Sequence, residues 1–287
     1  TPDKYDCERL AVVYANQLNA PVSKEETEAL KYLDYSIEED GTVSVSCQSY
    51  WQEPHPVVKV PETIQGMPVT KLTGMSSIHG SIEVIHIPAS ILSIEGLYYL
   101  SFYSGGQNMR KIIVAEDNPN YWSDGKALYT KDKTTLIHMF DYQAEEYVVH
   151  ENTKTIGKEA FGKFSNLKKL VLPDGLEEIQ SGAFYDCSNL AEIIGVEKVG
   201  SIAEGALSPT AYYRNMSIVF SGTVLQKYNS TTEKSYTIPN GTTEIASNAF
   251  YLYNVDDALE EIVIPETVKI IGKSAFQGRK HFVKINI

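Results

Sequence analysis

The sequence has too few cysteines to be held together by disulfide bonds. Only three occur among 287 residues, Cys7, Cys47 and Cys187, and their spacing fits no zinc-binding pattern. The sequence leaves open whether Cys7 and Cys47 are bridged. Cys187 lies inside a repeated apolar motif, which favours a small buried side chain. The fold must therefore depend on a hydrophobic core, and a hydrophobic content of 43% is enough to form one.

Positive charge is also scarce. The chain has 25 Lys and Arg against 37 Asp and Glu, a formal net charge of −12, and no cluster of basic residues. Nucleic acids and anionic membrane surfaces attract basic proteins, so we expect neither as a partner. No apolar run approaches the roughly 18 residues of a membrane span, and membrane insertion is not predicted. The chain begins at Thr1 without a basic and apolar leader, which we interpret as a mature or trimmed form that leaves secretion open.

Catalytic and metal-binding motifs are missing as well. The six histidines are scattered without the H-E-x-x-H spacing of a metal site, and no glycine-rich phosphate loop or G-x-S-x-G sequence occurs. Side-chain oxygens gather between Asp117 and Asp124, but their spacing differs from that of the twelve-residue calcium loop. A turn rich in Asp and Asn is expected there instead. We therefore predict no enzymatic activity, no metal and no other cofactor.

What the sequence does contain is an internal repeat of about two dozen residues. The motif reads I-P-x-x-[apolar]-x-x-I-x-x-x-A-F, and in its regular copies the proline precedes the alanine by ten residues. The regular copies are Leu172-Pro173 to Ala183-Phe184, Ile238-Pro239 to Ala249-Phe250 and Ile264-Pro265 to Ala275-Phe276. Variant copies begin at Val60-Pro61, Ile87-Pro88 and Val149-His150, and another runs from Ile202 to Ala206-Leu207.

Each part of the motif has a physical explanation. Leu170 and Leu172 alternate as on a strand with one buried face, and the following proline ends the strand. Phe184 is expected to fill the space between successive coils, and Asn189 to bond the turn backbone of an adjacent coil. A unit this short cannot bury its apolar side alone, so the units must stack into a solenoid.

Residues 1–36 lack the repeat. Helical spacing predicts a helix over Asp6–Asn19, and Ser23 with Glu26 predicts a capping box at the start of a second helix. The two helices are expected either to cap the open end of the array or to form a separate, linker-borne pair. Alternation from Tyr35 onward predicts a hairpin around Asp40-Gly41. The predicted domains are thus a helical segment over 1–36 and one repeat solenoid over 37–287.

The stretches IPETVKIIGKSAF and LPDGLEEIQSGAF resemble the leucine-rich repeats of BspA-like bacterial surface proteins, and the insert DNPNYWSDGKALYTKDKTTLI is similar to a segment common in that family. The resemblance covers residues 35–287. It implies an α/β repeat fold: a curved, right-handed, strand-rich leucine-rich repeat solenoid with a short N-terminal helical cap. It also implies an exported bacterial protein, secreted or on the cell surface, that binds host or matrix proteins in an adhesion-like role. The family offers no catalytic residues to carry over.

Outward-facing rows are the candidate binding surface. If Leu170 and Leu172 point inward, their neighbours point outward, and stacking aligns these neighbours from coil to coil. One row is charged and consists of Val84, Lys111, Lys169, Glu192, Glu261 and Lys284. The other is aliphatic in its middle and consists of His86, Ile113, Val171, Ile194, Val263 and Asn286. Exposed apolar rows often mark interaction sites, although branched residues suit strands whatever they face. The candidate partner-binding residues are His86, Ile113, Lys169, Val171, Ile194, Glu261 and Val263.

Tyrosine is abundant, with 19 copies, many of them in irregular inserts. Tyrosine suits recognition surfaces because it offers a large contact area at a low entropic cost. The alternative function is therefore a carbohydrate-binding accessory module that uses Tyr121, Trp122, Tyr212 and Tyr213. The simpler interpretation is that these rings pack over irregularities of the solenoid, with their hydroxyl groups in water.

Overall fold

The computed structural model describes residues 23–47, 56–74, 80–97, 108–230, 232–252 and 257–287. Within this part the chain is built from short strands, with a helix α1 (Lys24–Ala29), a 3-10 turn (Val196–Lys198) and a helix α2 (Ala211–Asn215). None of the described helices is both long and apolar enough to cross a membrane. The predicted strand-rich repeat solenoid is thus confirmed.

Packing separates the chain into two compact units. The first comprises residues 1–144 and 159–163, and the second comprises residues 145–158 and 164–287. The boundary at residue 36, and the single array over 37–287, remain predictions.

The capping box at the start of α1 is confirmed. The Ser23 hydroxyl accepts a hydrogen bond from the Glu26 amide at 3.0 Å, and the Glu26 carboxylate accepts one from the Ser23 amide at 2.6 Å. The hairpin around Asp40-Gly41 is also present, because two antiparallel strands flank it. The predicted helix over Asp6–Asn19 lies outside the described residues, so its capping role stays a prediction.

The first unit contains eleven described strands. They are β1 (Leu33–Ile37), β2 (Val43–Cys47), β3 (Val57–Lys59), β4 (Thr63–Ile64), β5 (Met67–Thr73), β6 (Val84–Ile87), β7 (Ser93–Ile94), β8 (Lys111–Val114), β9 (Tyr121–Ser123), β10 (Ala127–Thr130) and β11 (Thr135–Met139). One sheet has the order β1-β2-β5-β4, with β7 also paired to β5. A second, parallel sheet has the order β3-β6-β8, and β9, β10 and β11 form antiparallel pairs.

The second unit contains thirteen described strands. They are β12 (Glu146–Val148), β13 (Thr155–Ile156), β14 (Lys169–Val171), β15 (Glu178–Ile179), β16 (Glu192–Ile194), β17 (Ser201–Ile202), β18 (Ile218–Ser221), β19 (Val224–Tyr228), β20 (Ser235–Thr237), β21 (Glu244–Ile245), β22 (Glu261–Val263), β23 (Ile270–Ile271) and β24 (Lys284–Asn286). Strands β12-β14-β16, β13-β15-β17 and β20-β22-β24 form parallel ladders. The hairpin β18-β19 leads into the parallel pairs β19-β21 and β21-β23.

The core is a stack of inward-facing side chains. Leu170 and Phe184 have no exposed surface, and Leu172 is 4% exposed, as the alternation predicts. The Asn189 amide donates to the main-chain oxygen of Ser165 at 2.7 Å, which confirms the predicted bond between coils. Cys187 is buried, and burial raises the pKa of its thiol to about 12.

Cys47 is likewise buried, and burial raises the pKa of its thiol to about 12. Cys7 lies outside the described residues, so the question of a bridge between Cys7 and Cys47 stays open.

Each coil turns a corner at the residue before the alanine of the A-F pair. That residue is left-handed in five copies: Glu159 (φ 53°), Gly182 (φ 68°), Gly205 (φ 75°), Asn248 (φ 59°) and Ser274 (φ 55°). In the copy that contains Phe184, the Ala183 amide donates to the main-chain oxygen of Gln180, and the Tyr185 amide donates to that of Gly182. Two hydrogen-bonded turns thus meet at this corner. The corner is thus a backbone requirement of the repeat, which the sequence analysis missed.

The final copy of the repeat is held by a buried arginine. The Arg279 side chain has no exposed surface and lies 3.4 Å from the Asp257 carboxylate. It also donates to the main-chain oxygens of Phe250, Ser230 and Tyr228 at 2.9, 3.1 and 2.7 Å. A buried charge is tolerated only when it is paired and hydrogen-bonded, and here both conditions are met.

Replacing Phe184 by Ala should lower the free energy of unfolding by about 3–5 kcal/mol, the usual range for a buried aromatic ring. The neighbouring Tyr185 is 40% exposed, so Tyr185→Ala is the matched control, with an expected loss below about 1 kcal/mol. Urea unfolding followed by circular dichroism measures both. A small loss for Phe184→Ala would mean that the ring is not part of the core.

Replacing Gly182 by Ala should cost about 1–2 kcal/mol, because a Cβ disfavours the left-handed conformation by that amount. Gly175 is the matched control: its φ is not left-handed, and an added Cβ meets only the Lys154 Nζ atom, at 3.2 Å. Gly175→Ala should change the free energy of unfolding by less than about 0.5 kcal/mol. Equal losses in the two variants would show that the corner imposes no special backbone conformation.

Candidate interaction surface

The outward residues of the parallel sheets form rows, as the alternation predicts. In β12-β14-β16 the middle residues Tyr147, Leu170 and Ile193 are buried at 5%, 0% and 4% exposure, and they lie opposite one another. The residues on either side of them face outward and are aligned in the same register. The predicted facing of these strands is therefore confirmed.

The structure distributes the two predicted rows over three sheets. His86 pairs with Ile113 in β3-β6-β8, Val171 pairs with Ile194 in β12-β14-β16, and Val263 lies in β20-β22-β24. Each sheet thus carries two short outward rows of three residues. The chemistry of these rows differs from sheet to sheet, so each sheet is a separate candidate surface.

The charged row of the second unit is neutralised by ion pairs between coils. The Lys169 ammonium lies 3.4 Å from the Glu192 carboxylate, and the Lys284 ammonium lies 3.0 Å from the Glu261 carboxylate. The bond from Lys284 lowers the pKa of Glu261 below its usual value. Exposed pairs of this kind add little stability, typically below about 1 kcal/mol. They leave Lys169 and Glu261 each paired with a residue of the adjacent strand.

An apolar row runs beside the charged row in β12-β14-β16. Val148, Val171 and Ile194 lie opposite one another in register. Val148 is 65% exposed and Ile194 is 44% exposed, while Val171 is partly exposed. The sequence analysis predicted Val171 and Ile194 but missed Val148. Val148 precedes the variant copy Val149-His150 as Val171 precedes Leu172-Pro173, and this equivalence could have revealed it.

The equivalent row in β20-β22-β24 is mostly polar. Val263 is partly exposed and has Thr237 on one side and Asn286 on the other. The Asn286 amide also donates to the Glu261 carboxylate. Val263 is therefore an isolated apolar residue, unlike Val171.

The aromatic residues of the alternative carbohydrate hypothesis are engaged within the protein. The Tyr213 hydroxyl donates to the main-chain oxygen of Gln226 at 3.2 Å, and the Lys227 ammonium lies 4.5 Å from the centre of the Tyr213 ring. The Tyr121 hydroxyl accepts a hydrogen bond from the Ile94 amide at 3.1 Å. Tyr212 is partly exposed. These contacts agree with rings that pack within the protein, but the hydroxyl groups of Tyr121 and Tyr213 bond to the main chain and not only to water as the simpler interpretation expects.

Trp122 is engaged in the same way. Its ring packs against Tyr129 with 5.5 Å between centroids, and the Lys133 ammonium lies 4.3 Å from the centre of the Trp122 ring. The ring therefore has both an aromatic and a cationic neighbour from its own chain.

The turn rich in Asp and Asn is confirmed. Asn118 is fully buried; its side-chain oxygen accepts from the amides of Asn120 and Tyr121, and its amide donates to the main-chain oxygens of Pro88 and Ile91. Such bonds consume the oxygens that a calcium ion would need. In the part of the chain that the structure describes, no group of three or more His, Cys, Asp or Glu is placed to hold a metal.

Several solved bacterial structures are similar to this chain. A leucine-rich repeat protein from Eubacterium ventriosum is 18% identical, with 88% of this chain and 94% of that chain covered and a TM-score of 0.46. A leucine rich cell surface protein from Faecalibacterium prausnitzii is 13% identical, with 89% of this chain and 75% of that chain covered and a TM-score of 0.42. No curated protein matches the chain.

A comparison with protein families identifies the repeat. The family described as "BspA type Leucine rich repeat region (6 copies)" matches residues 138–256 and 251–287. Together these matches take in residues 138–287, just over half of the chain, and they include all three regular copies of the motif. The chain therefore belongs to the BspA-type leucine-rich repeat family.

Proposed function

We propose that this protein is a non-enzymatic interaction protein, displayed on or secreted from a bacterial cell, that binds protein partners through the outward side of its parallel sheets. Its family membership and its repeat architecture support a binding role of this adhesion-like kind. The proposed contact surface is the apolar row Val148, Val171 and Ile194, flanked by the ion pair of Lys169 and Glu192.

The exposure of the apolar row carries the proposal. The inward residues of the same strands already form the core, so the fold does not require aliphatic side chains at positions 148, 171 and 194. Three aligned aliphatic residues in water are costly for solubility but favourable for association, since burial contributes roughly 25 cal/mol for each Å² of apolar surface. The neighbouring ion pair supplies a polar rim, which is typical of protein interfaces.

The test is to replace Val148 and Ile194 together by Lys. Binding to a panel of purified host matrix proteins, measured by surface plasmon resonance, should fall at least about tenfold, because two charges would be desolvated at the contact. Both residues are largely exposed, so the thermal midpoint should shift by less than about 2 °C.

The matched control is Ser235→Lys with Thr237→Lys. Both residues are exposed on the outward side of β20, so the control adds the same charge to the equivalent strand of another sheet. Its binding should equal that of the unchanged protein. Equal loss in both variants, or unchanged binding in the Val148 and Ile194 variant, would contradict the proposed surface.

A glycan array separates the carbohydrate alternative from this proposal. Selective glycan binding that is lost in the double variant Tyr212→Ala and Tyr213→Ala would favour the accessory-module hypothesis. The engaged ring of Tyr213 argues against that outcome, because its hydroxyl and one face already have partners.

A further inference from the structure

The outward side of the sheet β3-β6-β8 has a chemistry of its own. Its middle residues Val58, Ile85 and Ile112 are buried at 1%, 0% and 1% exposure, so the flanking residues face outward. One outward row is Val57, Val84 and Lys111, and the other is Lys59, His86 and Ile113. These rows bring two lysines and a histidine together with three aliphatic residues, and no carboxylate stands in either row.

The cationic side chains of this sheet are not neutralised. Lys169 and Lys284, in the outward rows of the other two sheets, each have a glutamate within 3.4 Å. Among the described residues, Lys59 and Lys111 have no ion-pair partner and the His86 ring has no hydrogen-bond partner. Both lysines are exposed and His86 is partly exposed. The chain has a net charge of −12, so these side chains form a local positive patch that no carboxylate of the described residues neutralises through an ion pair.

A cavity of about 340 Å³ adjoins this surface. Lys59, His86 and Ile113 form one wall of it, and Glu26 and Glu62 contribute to its lining from the opposite elements. A volume of this size is in the range of cavities that hold small molecules or large side chains. The site therefore combines an open basic face with a recess beside it.

Three carboxylates line the cavity: those of Glu26 and Glu62 are hydrogen-bonded within the fold, and that of Glu25 is exposed. Glu26 accepts from the Ser23 amide and from the Thr63 hydroxyl. Glu62 accepts from the amides of Ala89 and Ser90 at 3.1 and 3.0 Å. The oxygens of Glu26 and Glu62 thus have partners within the protein, whereas the N–H groups of Lys59 and Lys111 face solvent. The outward rows of the sheet therefore offer hydrogen-bond donors to a ligand, and charged donors of this kind recognise anions.

The cations are close enough to affect one another. Burial, Lys59 and Lys111 together lower the pKa of His86 below its usual value. A carboxylate placed between these groups would remove that mutual repulsion and would favour protonated His86. Lys59 and Lys111 act on the ring, and Glu25, Glu26 and Glu62 line the same cavity as His86.

We propose that the outward side of β3-β6-β8 binds an extended acidic segment of a protein partner. Glutamate or aspartate carboxylates of the segment would accept hydrogen bonds from Lys59, His86 and Lys111. Its aliphatic residues would cover Val57, Val84 and Ile113. A peptide suits this surface better than a free carboxylate does, because cations and aliphatic residues are neighbours in both rows and a peptide can contact both kinds.

This proposal does not depend on the apolar row of β12-β14-β16. It concerns another sheet, whose outward residues are cationic as well as aliphatic. Evidence against one binding surface would therefore leave the other proposal unaffected. The variants used for the two tests share no residue.

A fluorescein-labelled peptide with the sequence EEVVEE and blocked ends is the probe, because each face of it in the extended conformation carries both carboxylates and a valine. Fluorescence anisotropy with the complete chain is the measurement. The unchanged protein should bind it, and the double variant Lys59→Gln with Lys111→Gln should bind it at least about tenfold more weakly. Raising the salt concentration from 50 to 500 mM should also weaken binding to the unchanged protein. A KKVVKK peptide should not bind.

The matched control is Lys154→Gln with Lys198→Gln. It removes the same total charge, but from lysines that are already paired with Glu177 and Asp174 and that belong to neither proposed surface. The affinity of the control for the peptide should lie within about twofold of that of the unchanged protein, because the lysines it removes are already paired with carboxylates of the protein. If both double variants bound the peptide equally weakly, the loss would reflect only the change in net charge, and the proposal would be wrong.

The pH dependence gives a second readout. Protonation of His86 adds a positive charge opposite the carboxylates, so affinity should rise by about two- to fivefold between pH 7.5 and pH 5.5. His86→Gln should abolish that rise while keeping the thermal midpoint. Absence of peptide binding, equally tight binding of N-acetylglutamate or a sulfated oligosaccharide, or a pH effect that survives His86→Gln would each contradict the proposal.

Discussion

No coil of this protein can bury its own core. Each has about two dozen residues, and its apolar side chains are covered only when the next coil is laid against it in parallel register. Ile156, Ile179 and Ile202 face one another across three coils at intervals of 23 residues. This dependence on neighbours explains the short strands, the corner at the left-handed residue and the aromatic ring placed between coils. It also leaves the outward residues unconstrained by the core, which is why they can differ from sheet to sheet.

The outward rows use that freedom in three ways. In β12-β14-β16, the charged side chains form ion pairs within the protein, and an aliphatic row lies beside them. In β20-β22-β24, polar side chains surround Val263. In β3-β6-β8, positive charge is left unpaired beside a recess. One backbone plan thus carries surfaces with different preferences, and substitutions at such positions change recognition with little effect on stability.

The alternation in the sequence was sufficient to predict which residues face the core. Leu170 and Phe184 follow from period and size, and Ser23 with Glu26 follows from capping chemistry. Gly182 and Gly205 mark the left-handed corner, but Glu159 and Ser274 adopt the same conformation against their own preference. Only the neighbouring coils impose it there, so a local rule could not find it.

The candidate surface was harder to predict than the fold. Alternation places Lys169 and Lys59 alike on outward positions, yet one is paired and the other is not. That difference depends on which residue the next coil brings opposite each lysine, and on the position of α1 beside β3-β6-β8. The cavity in particular combines side chains from a helix and from several coils, whose distances are fixed only by packing.

Arg279 has a consequence for how the array comes apart. Solenoids ordinarily fray from an end, one repeat at a time, because each repeat contacts only its neighbours. The Arg279 side chain reaches back to main-chain oxygens of Tyr228 and Ser230, 51 and 49 residues earlier. Peeling away the final coil would strand a buried cation and the acceptors it satisfies. Residues from about 228 onward therefore open as one cooperative block, and their slowly exchanging amide protons should share a single opening free energy.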